Sequence, residues 1–269
     1  MEKNSDLGGQ GHWAAIFYLF CPKITESPAD YSKYQRTLAD EILKQQFKHK
    51  FGIAFDRNKV IKGSYGKPCW PGEDKAYFNI SNTKGFLVCA LSDTEVGVDA
   101  EKIHAIRMSV VRRCCTPEEI AYIAGGTESM EAAYLAGKTS FTEGKTEDFL
   151  EKGKCKETVL SRFFQIWTLK ESYIKMTGEG LHFPLKQAAF FIPEKQVTMH
   201  KKNAYKQKDG DCLQTKGAGM QMDKAGIQEI CCSQPGFFQQ KQFGDYWVSL
   251  CTKQKVEAVW QEILPPNVG

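Results

Sequence analysis

The sequence predicts an α+β fold with two halves, each of which packs one long helix on a small antiparallel sheet. Apolar residues recur at helical spacing in two segments, residues 32–49 and 161–176. Short apolar runs bounded by turn residues flank both segments and are typical of strands. A chain of 269 residues is long enough for one large domain or two small ones. We predict an N-terminal half over residues 1–103 and a C-terminal half over 104–269.

The N-terminal half is predicted to open with a strand. Residues 13–20 form an apolar run that is too short to cross a bilayer, so we interpret it as a buried strand. The amphipathic helix over residues 32–49 follows. A loop rich in Gly and Pro, residues 63–71, leads to a hairpin with strands at 77–81 and 85–91, joined across residues 82–84.

The C-terminal half is predicted to contain two helices and several short strands. Thr116 precedes a proline and is a good helix cap, so a helix begins there. Residues 124–157 lose apolar periodicity and gather Gly, Thr, Lys and Glu, which predicts a flexible insertion. The second long helix follows at 161–176 and ends at glycines. Short strands are predicted at 189–192 and 246–251.

Composition excludes several classes of function. The chain has 36 basic and 32 acidic residues and a net charge of +4, which is too weak to indicate nucleic-acid binding. No apolar run reaches membrane-spanning length and no secretory leader is recognisable, so we expect no membrane partner and a cytoplasmic location. The ten cysteines form no CxxC pair and the five histidines form no HExxH motif. Free thiols in a reducing compartment are therefore expected.

Three carboxylates and a lysine form the candidate site. Asp99 and Glu101 are one residue apart on a predicted strand, so their side chains project from the same face. Glu171 and Lys175 are four apart on a predicted helix and share one helix face. Taken singly, such pairs are more often solvated turns or exposed ion pairs. Together they predict a magnesium ion held against a diphosphate for phosphoryl transfer.

Two segments carry a resemblance to a known family. Residues 97–101 (GVDAE) and 167–175 (WTLKESYIK) match the patterns G-[IV]-D-x-E and W-[ST]-x-K-E-[SA]-x-x-K. These are the signature of the 4′-phosphopantetheinyl transferase superfamily, Sfp type. Weaker blocks of the same family occur in the expected order at residues 35–38 (QRTL), 65–69 (YGKPC) and 78–83 (FNISNT). The blocks are specific in combination, because independent coincidences would not reproduce their order.

The resemblance implies a monomeric enzyme with two pseudo-equivalent halves, a holo-[carrier-protein] synthase. Such an enzyme transfers the 4′-phosphopantetheine arm of coenzyme A to a serine of an apo acyl, polyketide or peptidyl carrier protein and releases 3′,5′-ADP. The resemblance implies Mg²⁺ as the cofactor, held by Asp99, Glu101 and Glu171. Glu171, or a water that it orients, is the expected base. Lys175 and Lys170 are expected to neutralise phosphate charge.

The resemblance also implies that the N-terminal half binds the nucleotide of coenzyme A. The residues expected to hold its phosphates are Arg36, Thr37, Lys67, Ser81 and Asn82. The family usually has histidine where this chain has Asn82, and asparagine cannot carry positive charge, so weaker coenzyme A binding is expected. The segment between the two main motifs is also longer than usual. The surplus matches the aperiodic stretch, and a surface loop absorbs such an insertion at small entropic cost.

The carrier protein is expected to dock beside the metal strand. Residues 103–123 combine apolar side chains with Arg107, Arg112 and Arg113, and an apolar and basic ridge suits an acidic carrier. An ordinary amphipathic helix would explain the same pattern. Two other functions are compatible with the sequence: a carrier-protein or coenzyme A binding module without activity, and a structural adaptor. The intact set of carboxylates favours the enzyme.

Overall fold

A computed structural model describes residues 11–21, 27–72, 76–125, 154–192 and 230–264. These residues form four α-helices: α1 (Pro28–Phe51), α2 (Met108–Cys114), α3 (Pro117–Ala124) and α4 (Lys154–Thr177). They also form eleven strands: β1 (His12–Phe20), β2 (Ile61–Lys62), β3 (Pro68–Cys69), β4 (Tyr77–Thr83), β5 (Phe86–Ser92), β6 (Val96–Lys102), β7 (Phe190–Phe191), β8 (Cys231–Cys232), β9 (Phe237–Phe243), β10 (Tyr246–Thr252) and β11 (Val256–Glu262).

Each of the two larger sheets combines strands from the N-terminal and the C-terminal parts of the chain. The first sheet has the order β11-β1-β5-β4, in which β1 and β11 are parallel and the other pairs are antiparallel. The second has the order β6-β10-β9 and is antiparallel. The α+β class is confirmed, although the first sheet is not purely antiparallel. The pseudo-equivalence of the halves and the division at residue 103 stay predictions.

The helices and sheets stack as four layers. Helix α1 covers one face of the first sheet, the other face of that sheet packs on the second sheet, and α4 covers the far face of the second sheet. All seven residues of β5 are buried. Its Leu87, Cys89 and Leu91 contact the α1 layer, while the alternate residues face the second sheet. A strand buried on both faces is therefore the centre of the fold.

Local signals set the ends of α1. Ser27 caps its N-terminus by accepting a hydrogen bond from the amide of Asp30, and proline occupies the first turn. Gly52 ends the helix in the left-handed region with φ of 70°. The helix is longer at both ends than the predicted 32–49, because these caps lie outside the amphipathic stripe. Leu38 and Leu43 are among the side chains of that stripe that are fully buried.

The predicted hairpin is confirmed as β4 and β5, but its turn is shorter than expected. Thr83 pairs with Phe86, so only Lys84 and Gly85 form the turn. Gly85 has φ of 88°, which suits a two-residue hairpin turn.

Helix α3 begins as predicted. Thr116 and Glu119 form a reciprocal capping box at its first turn. Helix α4 begins at Lys154, before the predicted residue 161. Most of the predicted insertion, residues 126–153, lies outside the described residues. None of the eight cysteines that the structure describes forms a disulfide. Within the described ranges, no helix is long and apolar enough to span a membrane.

Candidate active site

Strand β6 has an apolar face and a polar face. Val96 and Val98 are buried in the core between the two sheets. Because side chains alternate along a strand, Gly97, Asp99 and Glu101 face the opposite way, toward α4. The predicted common face of the two carboxylates is therefore the face that meets the helix carrying the second motif.

Gly97 allows an unusually close approach between β6 and α4. A Cβ atom at this position would lie 2.1 Å from the carbonyl oxygen of Ser172 and 2.3 Å from the amide nitrogen of Met176. Both atoms are backbone atoms of α4, so no side-chain rotation would relieve the clash. Only glycine fits here, and it brings β6 against the helical turn that carries Glu171 and Lys175.

Asp99 lies at the centre of a polar cluster. The ammonium of Lys175 is 2.7 Å from its Oδ1, and the hydroxyl of Ser81 donates to the same oxygen at 3.0 Å. Lys175 also donates to the hydroxyl oxygen of Ser81 at 2.9 Å. The other carboxylate oxygen of Asp99, Oδ2, is buried and has no hydrogen-bond partner among the described residues. A buried carboxylate oxygen without a donor is costly, and a bound cation would satisfy it.

The other two carboxylates interact with Asp99 electrostatically. Burial, followed by the nearby charges of Asp99 and Glu101, raises the pKa of Glu171 to about 7, against the opposing effect of Lys175. Burial and then Asp99 raise the pKa of Glu101, while Lys175, His104 and a hydrogen bond from the side chain of Trp167 lower it. Three carboxylates and one lysine thus share a partly desolvated site with excess negative charge.

This set of side chains fits a magnesium ion. All three candidate ligands are carboxylates, and Mg²⁺ prefers oxygen ligands and keeps several waters. A divalent cation would satisfy Oδ2 of Asp99 and relieve the like-charge repulsion that raises the pKa of Glu171. Within the described part of the chain, no three His, Cys, Asp or Glu side chains are already arranged as a metal site. The carboxylates are close enough to interact but do not form a closed cage.

Two polar residues of β4 hold β6 in place. The amide of Val98 donates to Oδ1 of Asn79 at 2.9 Å, and the amide of Ala100 donates to the hydroxyl oxygen of Ser81 at 3.1 Å. These side chains take the place of a neighbouring strand along the free edge of β6. Ser81, expected on a nucleotide phosphate, instead contacts Asp99. Asn79 and Ser81 alternate with apolar residues along β4, and this pattern indicates a polar strand face. The contact with β6 was not predicted from it.

The comparisons with known proteins agree with this geometry. The family model of the 4′-phosphopantetheinyl transferase superfamily matches residues 95–218, a segment that includes β6 and α4. Over that segment the chain is similar to this superfamily. It is similar to three bacterial proteins named 4′-phosphopantetheinyl transferases: Sfp of Bacillus subtilis strain 168, gsp of Aneurinibacillus migulanus and ffp of Bacillus subtilis.

These similarities cover only part of each protein. The identity to Sfp is 26% over 56% of this chain and 55% of the relative. The identity to gsp is 24% over 63% of this chain and 59% of the relative. The identity to ffp is 30% over 45% of this chain and 42% of the relative. The chain thus spans about half the length of the curated relatives it matches.

Two lysines of the superfamily motifs lie away from the carboxylates. Lys67 donates from its ammonium to the carbonyl oxygens of Val96 at 3.1 Å and Met176 at 2.7 Å, and burial lowers its pKa. Lys170 is fully buried and pairs with Glu119 at 2.8 Å. Lys170 does not fit the expected contact to phosphate, because all three of its N–H donors are bonded inside the protein. Two of the three donors of Lys67 are bonded to backbone oxygens, and its contact with phosphate stays a prediction.

The remaining residues expected at the nucleotide lie on the surface. Arg36 and Thr37 are exposed on α1, where the hydroxyl of Thr37 donates to the carbonyl oxygen of Lys33 at 3.1 Å. Asn82 is exposed on β4, and its amide donates to Oε1 of Gln35 at 3.0 Å. Within the described residues, no hydrogen bond or ion pair joins Arg36, Thr37 or Asn82 to the carboxylate cluster.

The expected carrier ridge exposes its basic side chains more than its apolar ones. In the segment around α2, Val111 is buried and Val110 packs on the same core beneath α4. Arg107, Arg112 and Arg113 are exposed. Ile106 and Val110 are half-buried, so both apolar and basic side chains reach the surface of this segment, and its role as a carrier surface stays a prediction.

Proposed function

We propose that this chain transfers the 4′-phosphopantetheinyl group of coenzyme A to the serine of an apo acyl, polyketide or peptidyl carrier protein. The observation that supports this function is the convergence of Asp99, Glu101, Glu171 and Lys175 at the contact between β6 and α4. The names of the relatives support the same reaction.

The reaction exchanges one phosphorus–oxygen bond for another. The serine oxygen bonds to the phosphorus that carries pantetheine, and the bond from that phosphorus to 3′,5′-ADP breaks, so that 3′,5′-ADP leaves with the electron pair. Glu171, or a water that it orients, accepts the serine proton. A carboxyl group with a pKa of about 7 is well matched to proton transfer near neutral pH.

Asp99, Glu101 and Glu171 would hold Mg²⁺, with Oδ2 of Asp99 as the open ligand position. When bound, the ion neutralises charge on the diphosphate and on the phosphoryl oxygens as the transfer proceeds. Lys175 adds a positive charge beside Asp99. Ser81 and Lys175 occupy Oδ1 of Asp99, so Oδ2 is the oxygen that would bind the ion.

The nucleotide of coenzyme A is proposed to contact the N-terminal half through the exposed side chains of Arg36, Thr37 and Asn82. Lys67 acts indirectly in this proposal, because its ammonium joins β6 to the end of α4. Magnesium dependence, a monomeric state and a cytoplasmic location complete the proposal. Cysteines without disulfides, such as the described ones, are typical of a reducing compartment.

Mass spectrometry of apo carrier proteins tests this function. Each carrier is incubated with the protein, coenzyme A and Mg²⁺, and the expected result is a gain of one phosphopantetheinyl group on the carrier serine. Asp99→Ala and Glu171→Gln should abolish the gain. A binding module would bind coenzyme A or carrier without the mass change, and a structural adaptor would do neither. Absence of transfer to acyl, polyketide and peptidyl carriers alike would refute the proposal.

A further inference from the structure

Glu119 and Lys170 form an ion pair whose side chains are both 0% exposed, at 2.8 Å between Oε1 and Nζ. The ammonium also donates to the carbonyl oxygens of Leu185 at 2.9 Å and Ala188 at 2.5 Å. An ammonium has three N–H donors, so every donor of Lys170 has a partner. The lysine therefore joins α4 to the turn that follows it.

The carboxylate of Glu119 is equally well satisfied. Its Oε2 accepts from the amide of Thr116 at 2.7 Å, and its Oε1 accepts from the amide of Phe190 at 2.9 Å. The pair thus connects the start of α3, the middle of α4, the turn after α4 and strand β7. A buried polar network in which every group is bonded has few alternative geometries.

This network lies next to the candidate active site along the chain. Lys170 directly precedes Glu171, and neighbouring helix residues differ by about 100° of rotation and 1.5 Å of rise. Anchoring Lys170 therefore sets the direction of Glu171 and, one turn later, of Lys175. On its other side α4 meets Gly97 of β6 at backbone contact distance. The helix is held between these two contacts.

We propose that Glu119 is a positioning residue: through its ion pair with Lys170 it fixes the rotation of α4, and so aims Glu171 and Lys175 at Asp99. Glu119 touches no reacting group itself. The catalytic part of this inference rests on the proposed function, whereas the structural part does not. The opposing interpretation is that the pair only stabilises the fold. Buried ion pairs are weak support for that interpretation, because apolar replacements of both partners are often as stable.

Variants that separate stability from geometry distinguish the two interpretations. Lys170→Met leaves the carboxylate of Glu119 buried without a cation, whereas the double variant Glu119→Gln/Lys170→Met removes both charges and keeps an acceptor at position 119. Leu43→Ala is the matched control, because it weakens the separate core beneath α1. Each variant is measured for Tm and for kcat at saturating coenzyme A, carrier and Mg²⁺.

A third measurement reports the geometry without activity. The side chain of Trp167, on α4, lies near enough to Glu101 on β6 to lower the pKa of that carboxyl. Its indole N–H signal in a ¹H–¹⁵N spectrum, assigned with Trp167→Phe, therefore reports how α4 sits against β6. The signal of Trp13, which contacts the end of α1, serves as the internal reference.

We expect Lys170→Met to lower Tm, to lower kcat at least tenfold and to move the Trp167 signal. The double variant should regain Tm while the loss of kcat and the moved signal remain, since a displacement of about 1 Å can cost 10²-fold in rate. Leu43→Ala should lower Tm alone. If Lys170→Met does not fold, Glu119→Gln is judged by the same criteria.

Parental kcat in the folded double variant, or a parental Trp167 signal in it, would overturn the inference. If the parent protein transfers nothing to any carrier, the proposed function fails instead, and the Trp167 signal alone then decides whether the ion pair positions α4.

Discussion

Gly97 and Ser172 are in backbone contact: a Cβ on the glycine would lie 2.1 Å from the carbonyl oxygen of the serine. This contact joins the two sequence motifs, one on β6 and the other on α4. The distance between Asp99 and Lys175, 2.7 Å between Oδ1 and Nζ, depends on it.

Gly97→Ala should therefore separate the two motifs. The added methyl group displaces the backbone of α4, so we expect a lower Tm and a loss of kcat of about 10²-fold. Steady-state kinetics at a temperature below the variant's Tm measure the effect. Gly11→Ala is the matched control, because no atom of the described residues lies within 4 Å of the added Cβ there. Parental kcat in Gly97→Ala would contradict the proposed site.

Asp99→Asn tests the open ligand position. The change removes the charge but keeps the size, and we expect the Mg²⁺ concentration for half-maximal rate to rise at least tenfold together with a fall in kcat. Titration of the transfer rate with Mg²⁺ measures both. Glu257→Gln, an exposed carboxylate on β11, should leave the titration unchanged. An unchanged requirement for Mg²⁺ in Asp99→Asn would exclude Asp99 as a ligand.

Glu171 should make the metal-free protein less stable as pH rises. Its pKa is raised from 4.5 to about 7 in the folded protein, so the folded state binds more protons than the unfolded state between these values. The stability contribution of this group is full below pH 4.5 and is lost as pH rises through 7. The shift corresponds to roughly 1–3 kcal/mol in the free energy of unfolding after allowance for partial exposure.

Glu171→Gln removes this dependence while abolishing transfer. In EDTA, the free energy of unfolding of the variant relative to the parent should increase from pH 4.5 to pH 8 by that amount. Urea denaturation at the two pH values measures it, with Glu257→Gln as the exposed control. If the free energies of unfolding of variant and parent differ by the same amount at both pH values, the pKa of Glu171 is not raised in the folded protein.

Charge reversal on α2 tests the carrier surface. Arg112→Glu/Arg113→Glu should raise KM for an acidic carrier about tenfold and leave KM for coenzyme A unchanged, because complementary charge favours encounter. Lys48→Glu/Lys255→Glu makes the same change in net charge at exposed positions on α1 and beside β11. An equal rise in carrier KM in both double variants would show a general charge effect and not a docking surface.

Asn82→His tests the departure from the family histidine. If that position contacts the 3′-phosphate, a protonated imidazole should tighten coenzyme A binding by roughly tenfold at pH 6. The gain should shrink by pH 8, above the ordinary imidazole pKa of about 6.5. Calorimetry with coenzyme A and its 3′-dephospho form measures the difference. Equal affinities of variant and parent at both pH values would mean that the 3′-phosphate is held elsewhere.

Much of the local structure was predictable because it depends on short-range periodicity and capping. Alternation along a strand directs Asp99 and Glu101 to one face, and helical spacing does the same for Glu171 and Lys175. The capping residue Thr116 marked the start of α3 correctly. Strand partners were not predictable in this way, because β11 pairs with β1 across almost the whole chain and no local pattern records that choice.

The sequence by itself determined the α+β class, the two motif faces and the resemblance to the superfamily, since these follow from residue types at fixed spacing. Only the tertiary structure decided which lysine of α4 meets the carboxylates. Lys170 and Lys175 are five positions apart, about 140° around the helix, so they face different sides. The backbone contact at Gly97 directs Lys175 to Asp99, and Lys170 is left to pair with Glu119 in the core.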